Sequence, residues 1–211
     1  MKTLWLARHG QSLSNAVRRF QGTQDIALSD LGRRQAVALS AGLRGRLVAH
    51  VYASPLERAR STAETVVAEH GMPLTFLDDL RELSLGDWEG RTVEEVRALP
   101  GDPYACWVRD PVGACPPNGE PLDRVQARVV EAIEGIAAAH PDGEDVLVVC
   151  HGGVISAYLA YCFGLPLSSI WRVSVANCSL SAVSPPRVLS VNDVSHLAGI
   201  EVGTGAPSLD P

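Results

Sequence analysis

Two stretches of the chain place a histidine and a glycine directly after an apolar run. LWLARHG, residues 4–10, ends on Arg8, His9 and Gly10, and DVLVVCHGG, residues 145–153, ends on His151, Gly152 and Gly153. With an unperturbed pKa of about 6.5, a neutral imidazole is a nitrogen nucleophile near neutral pH. A guanidinium beside it offers a planar fork of donors to an oxyanion. Two further residues extend the set: Arg58, just past an apolar run in YASPLERARSTAE, and Glu82 in the turn-rich LRELSLGDWEG. Together they supply what phosphoryl transfer through histidine requires. That is a nitrogen nucleophile, cations for the equatorial oxygens, and a carboxyl group for the leaving oxygen's proton. A lone histidine closing an apolar run is ordinarily a core residue, but two in equivalent contexts, one preceded by arginine, favour a site. The rival use of His9 and His151 is a zinc site. No third His or Cys stands at ligand spacing, and Arg8 and Arg58 would repel a cation, so no metal and no cofactor is expected.

These residues need elements to carry them. Residues 3–7, 51–53, 74–77, 145–150 and 178–183 read as strands, with 187–191 pairing with the last. Between them 29–44, 55–70, 121–139 and 153–163 show helical spacing of apolar residues. This alternation predicts an α/β fold, a three-layer α/β/α sandwich with a mostly parallel central sheet. Ser54, Pro55 and Glu57 in SPLE read as a capping box that starts a helix at 55. Both His-Gly strand ends then fall at the carboxyl edge of the sheet, where open α/β sheets bind ligands. The segments following from Gln11 and from Val154 are expected to open helices whose free N–H groups attract anions, and Gly10 and Gly152 let backbone approach a ligand. Residues 91–125, rich in Pro and Gly, break the alternation and read as a flap inserted over one end of the sheet. A single domain over 1–197 is expected, followed by a mobile C-terminal tail over 198–211. No internal repeat is present.

Composition narrows the partners. The 211 residues are 46% hydrophobic and 20% charged, enough for one sizeable core. A net charge of −6 argues against a nucleic-acid or anionic-membrane surface, so an anionic ligand must be held locally. No apolar run approaches a membrane span and the N-terminal stretch lacks a secretory core, from which a cytoplasmic location is expected. Lys2 is the only lysine, an arginine bias that coding composition explains as well as function does. Cys106, Cys115, Cys150, Cys162 and Cys178 are odd in number with no CxxC spacing, and read as reduced and mostly packed. Trp88 and Trp107 are candidates to face a substrate from the flap, with burial in the core the commoner fate of tryptophan. Oligomeric state is left open, a homodimer included.

LARHGQSLSN, QGTQDIALSDLGRRQA, YASPLERARSTAE, LRELSLGDWEG and VVCHGG, in this order, resemble the histidine phosphatase superfamily with its phosphoglycerate mutase-like fold, over residues 3–183. The resemblance implies that His9 becomes phosphorylated, that Arg8, Arg58 and His151 clamp the phosphoryl group, and that Glu82 is the proton donor. It further implies that Asn15, Gln21 and Gly22, and Gly152 beside His151, line the phosphate or substrate site. Ser12 stands where relatives more often carry Thr, and Gln11 where Glu is common. His151 is expected to be protonated beside a bound dianion. The sugar-phosphate mutases of the superfamily follow the catalytic Glu with a Tyr-Gly-Leu-Gln-Gly-Leu-Asn-Lys type of segment and a longer insertion. LSLGDWEGRT and a compact flap stand here instead, as in the phosphatase branches. The expected activity is therefore a phosphomonoesterase acting on a small phosphorylated metabolite. A 2,3-bisphosphoglycerate-dependent phosphoglycerate mutase is the runner-up, and a non-catalytic phosphate- or protein-binding module is the alternative of another class.

Overall fold

The structure, a computed structural model, describes residues 3–141 and 143–202. Its elements run β1 (Leu4–Arg8), α1 (Leu13–Ala16), α2 (Asp30–Gly42), β2 (Val48–Ala53), α3 (Glu57–His70), β3 (Leu74–Phe76), α4 (Val93–Arg97), α5 (Pro103–Arg109), α6 (Leu122–Ala139), β4 (Asp145–Cys150), α7 (Gly152–Phe163), β5 (Leu180–Ser184) and β6 (Arg187–Asp193). One six-stranded sheet has the order β3-β2-β4-β1-β5-β6. The pairs β1–β4, β2–β4 and β2–β3 are parallel, whereas β5 runs antiparallel to β1 and to β6.

Successive residues of a strand face opposite ways, and β4 uses both faces. Val146, Val148 and Cys150 enter a core with Val125, Val129 and Ile133 of α6 and Val154, Ile155 and Leu159 of α7. Leu147 and Val149 enter a second core with Leu39 of α2 and Ala59, Ala63 and Val66 of α3. Burial on both faces explains why β4 reads as an unbroken apolar run. The result is the three-layer α/β/α sandwich expected, with its mostly parallel sheet.

Several local expectations are corrected. α3 begins at Glu57 with Leu56 as its N-cap, and Ser54 makes no capping box. The free Glu57 N–H is met from a distance instead, by Asp25 Oδ1 at 2.6 Å. The segment after His9 forms a helix only at Leu13, capped by Ser12, and it lasts four residues, too short to supply a helix-end anion site. β2 starts three residues earlier than its apolar pattern suggested, because polar His50 sits inside it. Of the cysteines, Cys150 and Cys178 are buried, Cys106 and Cys162 are half-buried and Cys115 is exposed.

The expected flap holds α4, α5 and an irregular stretch that ends where α6 starts at Leu122. Trp88 and Trp107 are 2% and 4% exposed and make tilted and edge-to-face contacts with each other and with Phe20, Tyr104 and Trp171, so both belong to the core. Residues 198–202, read from sequence as the start of a mobile tail, lie against α2, where Gln35 Nε2 donates to Glu201 O at 2.8 Å. Ile200 and Val202 pack there against the second core, and residues 203–211 of that expected tail lie outside the described residues. Among the described residues no helix is long and apolar enough to cross a membrane.

Candidate active site

Parallel pairing of β1 with β4 aligns Arg8 with Cys150, and the next backbone bond, His9 N–H to Cys150 O at 3.0 Å, carries the ladder past the strand ends. His9 and His151 are thereby neighbours, their rings 5.1 Å apart edge to face and both buried. Gly10 is required because a Cβ there would run into the Gly32 carbonyl. Its N–H donates to Thr62 Oγ1 at 3.1 Å, and Thr62 in turn donates to Arg58 O at 2.7 Å.

His9 Nδ1 lies 2.7 Å from Gly10 O, a bond in which the ring must be the donor. Nε2 is therefore the unprotonated nitrogen, and Arg58 Nε donates to it at 3.3 Å. Burial, then the Arg58 and Arg8 charges, push the His9 pKa well below the ordinary imidazole range, against a small opposing effect of the Gly10 bond. The ring is thus neutral and oriented, with its lone pair on Nε2.

Arg58, in the first turn of α3, is 1% exposed and fixes the 22–24 loop by donating to Gly22 O and Gln24 O, each at 2.8 Å. Burial lowers its pKa to about 10, still cationic at neutral pH. Arg8 donates through Nη1 to Val175 O at 2.7 Å, while its buried Nε has no partner. A buried cationic donor left open in this way is what an anion would complete.

His151 is fully buried, with Nε2 2.8 Å from Ser54 Oγ and Nδ1 without a partner. Burial, followed by the Arg58 charge, lowers its pKa well below 6.5, so in the free site it is neutral rather than protonated. Gly152 begins α7, and a Cβ on it would lie 3.4 Å from Arg8 Nε. Glu82 arrives from the other side: Oε2 accepts from Gly153 N at 3.2 Å and Oε1 from Leu83 N at 3.1 Å. The loop carrying it is held by Arg128 of α6, whose Nη1 donates to Asp79 O at 2.7 Å and Arg81 O at 2.9 Å.

Asn15, Gln21 and Gly22 form one wall. Ser12 Oγ donates to Gln21 Oε1 at 2.6 Å and accepts from Asn15 N at 3.0 Å. Gly22 takes a left-handed φ of +51°, which turns its carbonyl to Arg58. The neighbouring carboxylates are already engaged. Glu89 Oε1 accepts from Thr23 N and Leu85 N, each at 3.0 Å, and Glu120 pairs with Arg128 through two 2.8 Å bonds. Among the described residues no three His, Cys, Asp or Glu side chains are grouped so as to hold a metal ion.

The structure thus brings Arg8, His9, Arg58, Glu82, His151 and Gly152 to one sheet edge, with Asn15, Gln21 and Gly22 beside them. Sequence reasoning took Ser54 for a helix cap and missed Thr62, Arg128 and Asn177, whose Nδ2 donates to His9 O at 3.0 Å. Ser54 and Thr62 stand in the same motif as Arg58, eight residues apart, and that proximity was the available signal. Asn177 carried none.

A family model described as histidine phosphatase superfamily (branch 1) matches residues 4–188. The chain is 34% identical over 180 residues to the adenosylcobalamin/alpha-ribazole phosphatase of Salmonella typhimurium, covering 85% of this chain and 89% of that protein. It is 31% identical over 206 residues to the probable phosphoglycerate mutase GpmB of Erwinia tasmaniensis, covering 93% and 95%. The solved mycobacterial glucosyl-3-phosphoglycerate phosphatase, in complex with VO3, matches with a TM-score of 0.84 at 32% identity, over 91% of this chain and 99% of that one. The matched span opens at the strand that delivers His9 and runs past the one that delivers His151 into β6, and on that ground the chain belongs to the histidine phosphatase superfamily, branch 1.

Proposed function

We propose that the protein is a phosphomonoesterase that hydrolyses a small phosphorylated metabolite through a phosphohistidine on His9. The observation that carries this reading is the His9 ring itself: neutral, tied through Nδ1 to Gly10 O, and presenting Nε2 beside the Arg58 guanidinium. In the first step Nε2 attacks phosphorus and the bond to the ester oxygen breaks. Glu82, in its protonated form, gives its proton to that oxygen. Arg8 and Arg58 neutralise charge on the phosphoryl oxygens, and His151 donates a hydrogen bond to one of them. In the second step the Glu82 carboxylate takes a proton from water, the water oxygen bonds to phosphorus, and the P–N bond breaks. Phosphate leaves, and both His9 and Glu82 return to their starting protonation.

The substrate class is supported by the relatives, two named as phosphatases of small metabolites and one as a probable phosphoglycerate mutase. That last relative spans nearly this whole chain and supports a second reading, in which a hydroxyl of phosphoglycerate replaces water as the acceptor. The LSLGDWEGRT segment after Glu82, which stands in place of the mutase-type segment, favours the hydrolase. Rapid acid-free quenching with a 32P-labelled monoester should trap an acid-labile, base-stable phosphoenzyme that is absent in His9→Ala. Near-normal turnover in that variant would falsify covalent catalysis. Efficient interconversion of 2- and 3-phosphoglycerate dependent on the bisphosphate would establish the mutase.

A further inference from the structure

Ser54 was expected to cap a helix, and it does not. Its hydroxyl is fully buried at the end of β2 and has two close polar neighbours, Leu56 N at 3.3 Å and His151 Nε2 at 2.8 Å. Leu56 N–H is a donor, so it occupies a lone pair of Oγ and leaves the hydroxyl proton to be placed. Two assignments are open for the Ser54–His151 bond. If Nε2–H donated to Oγ, the serine proton would have no acceptor and the bare Nδ1 lone pair would be buried without a donor. If the hydroxyl donates to Nε2, the ring proton sits on Nδ1, and that single N–H is the one group left unmet. Each unmet buried polar group is destabilising, so the second assignment, which leaves one rather than two, is favoured. The group it leaves open is a donor rather than an acceptor. It stands at the residue before Gly152, alongside which the other unmatched donor, Arg8 Nε, also lies.

We propose that Ser54 is a positioning residue: by donating to His151 Nε2 it holds the ring in the Nδ1–H tautomer, and this N–H is the donor offered to a phosphoryl oxygen. The inference rests on the reading of this site as a phosphoryl site. It gives the serine of the Arg58 motif a task in the chemistry and assigns the ligand-facing nitrogen of His151. In the other tautomer, with the proton on Nε2, the same ring would present the bare Nδ1 lone pair to the anion and repel it.

The test uses 15N-histidine-labelled protein, with the His151 ring signals assigned by their loss in His151→Asn. The wild type should show a protonated Nδ1 and an unprotonated Nε2 at pH 7. Ser54→Ala should move the proton wholly or partly to Nε2 and weaken inorganic phosphate binding by about 10-fold, the loss of one buried hydrogen bond. Ser54→Thr, which keeps the hydroxyl, should restore both the tautomer and the affinity. An Nε2–H tautomer in the wild type, or an unchanged tautomer in folded Ser54→Ala, overturns the proposal. So does unchanged phosphate affinity once the tautomer has moved. These readouts need no turnover and so separate this inference from the phosphohistidine reading, which the trapping of the phosphoenzyme decides.

Discussion

Gly153→Ala tests the placement of Glu82 without touching its chemistry. Gly153 is the second residue of α7 and its φ lies outside the left-handed region, so an alanine brings no backbone strain and raises helix propensity. What it brings is a methyl group 2.6 Å from Glu82 Oε1 and against Leu83 Cδ2. Ordinary carbon–oxygen contact is about 3.4 Å, so the carboxylate must retreat by about 0.8 Å. The 3.2 Å bond from Gly153 N to Oε2 then lengthens beyond hydrogen-bonding range. Misplacement of a catalytic group by about 1 Å costs on the order of 10² in rate, near the low end of the roughly 10² to 10⁴ expected of general acid–base catalysis. With glycerol phosphate, whose alkoxide must be protonated to leave, kcat should fall by about 10², equivalent to ~2.7 kcal/mol in the barrier. With p-nitrophenyl phosphate the leaving group needs no proton, so a stopped-flow burst of nitrophenol should keep nearly its wild-type rate. Steady turnover would still be slow, because dephosphorylation needs the same carboxylate as base. Glu82→Gln should show the same asymmetry and set its upper limit. Equal slowing of both esters with no burst, in a variant of unchanged Tm, would refute the placement of Glu82 as the proton-transfer group.

Two other perturbations follow from the same geometry. Arg128→Met releases the Asp79 and Arg81 carbonyls that hold the Glu82 loop and leaves Glu120 without its partner, so kcat for glycerol phosphate should drop by about 10-fold with KM little changed, as steady-state kinetics will show. A matching rise in KM would mean that Arg128 serves binding instead. Stability should also depend on pH through the two buried histidines. Folded His9 and His151 have pKa values below the ordinary value of about 6.5, so beneath that pH the unfolded chain binds protons that the folded chain does not, and stability rises with pH and falls on acidification. The slope contributed by each approaches about 1.4 kcal/mol per pH unit between 6.5 and its folded value. Urea midpoints at pH 7.0 and 5.5 should therefore differ less in His151→Gln than in the wild type, and an equal difference would contradict the neutral assignment.

The parts of this site that sequence made legible are those imposed by the sheet. β1 and β4 are buried on one or both faces, and so both announce themselves as apolar runs. The charged residues that end them stand out against that background. Glu82 was set beside the histidines and arginines for its chemistry, but the resemblance alone gave it the proton-donor role over the other carboxylates of its turn-rich stretch. Ser54 was misread for a physical reason. Ser-Pro-x-Glu satisfies local capping rules, but the hydroxyl is claimed by a ring 97 positions away in sequence, and tertiary contact overrode the local preference. Asn177 was invisible because its task is to hold the His9 carbonyl from a loop of no regular pattern. The flap stayed unresolved as well. Its short helices are stabilised by Phe20, Trp88 and Trp171 from outside the segment, contacts that no window within 91–125 contains.

The β1–β4 pairing has an evolutionary reading. His9 and His151 sit at the ends of adjacent central strands, joined by main-chain bonds that do not depend on which side chains the chain carries elsewhere. The helices α4 and α5 rest instead on an aromatic cluster shared with Phe20, Trp88 and Trp171. Drift, or a protein engineer, is therefore freer to rewrite residues 91–115 than residues 117–120, which pair with the 84–87 turn beside Glu82 and supply the partner of Arg128. A lineage built this way diversifies by changing its doorway, and its hearth stays where the sheet put it.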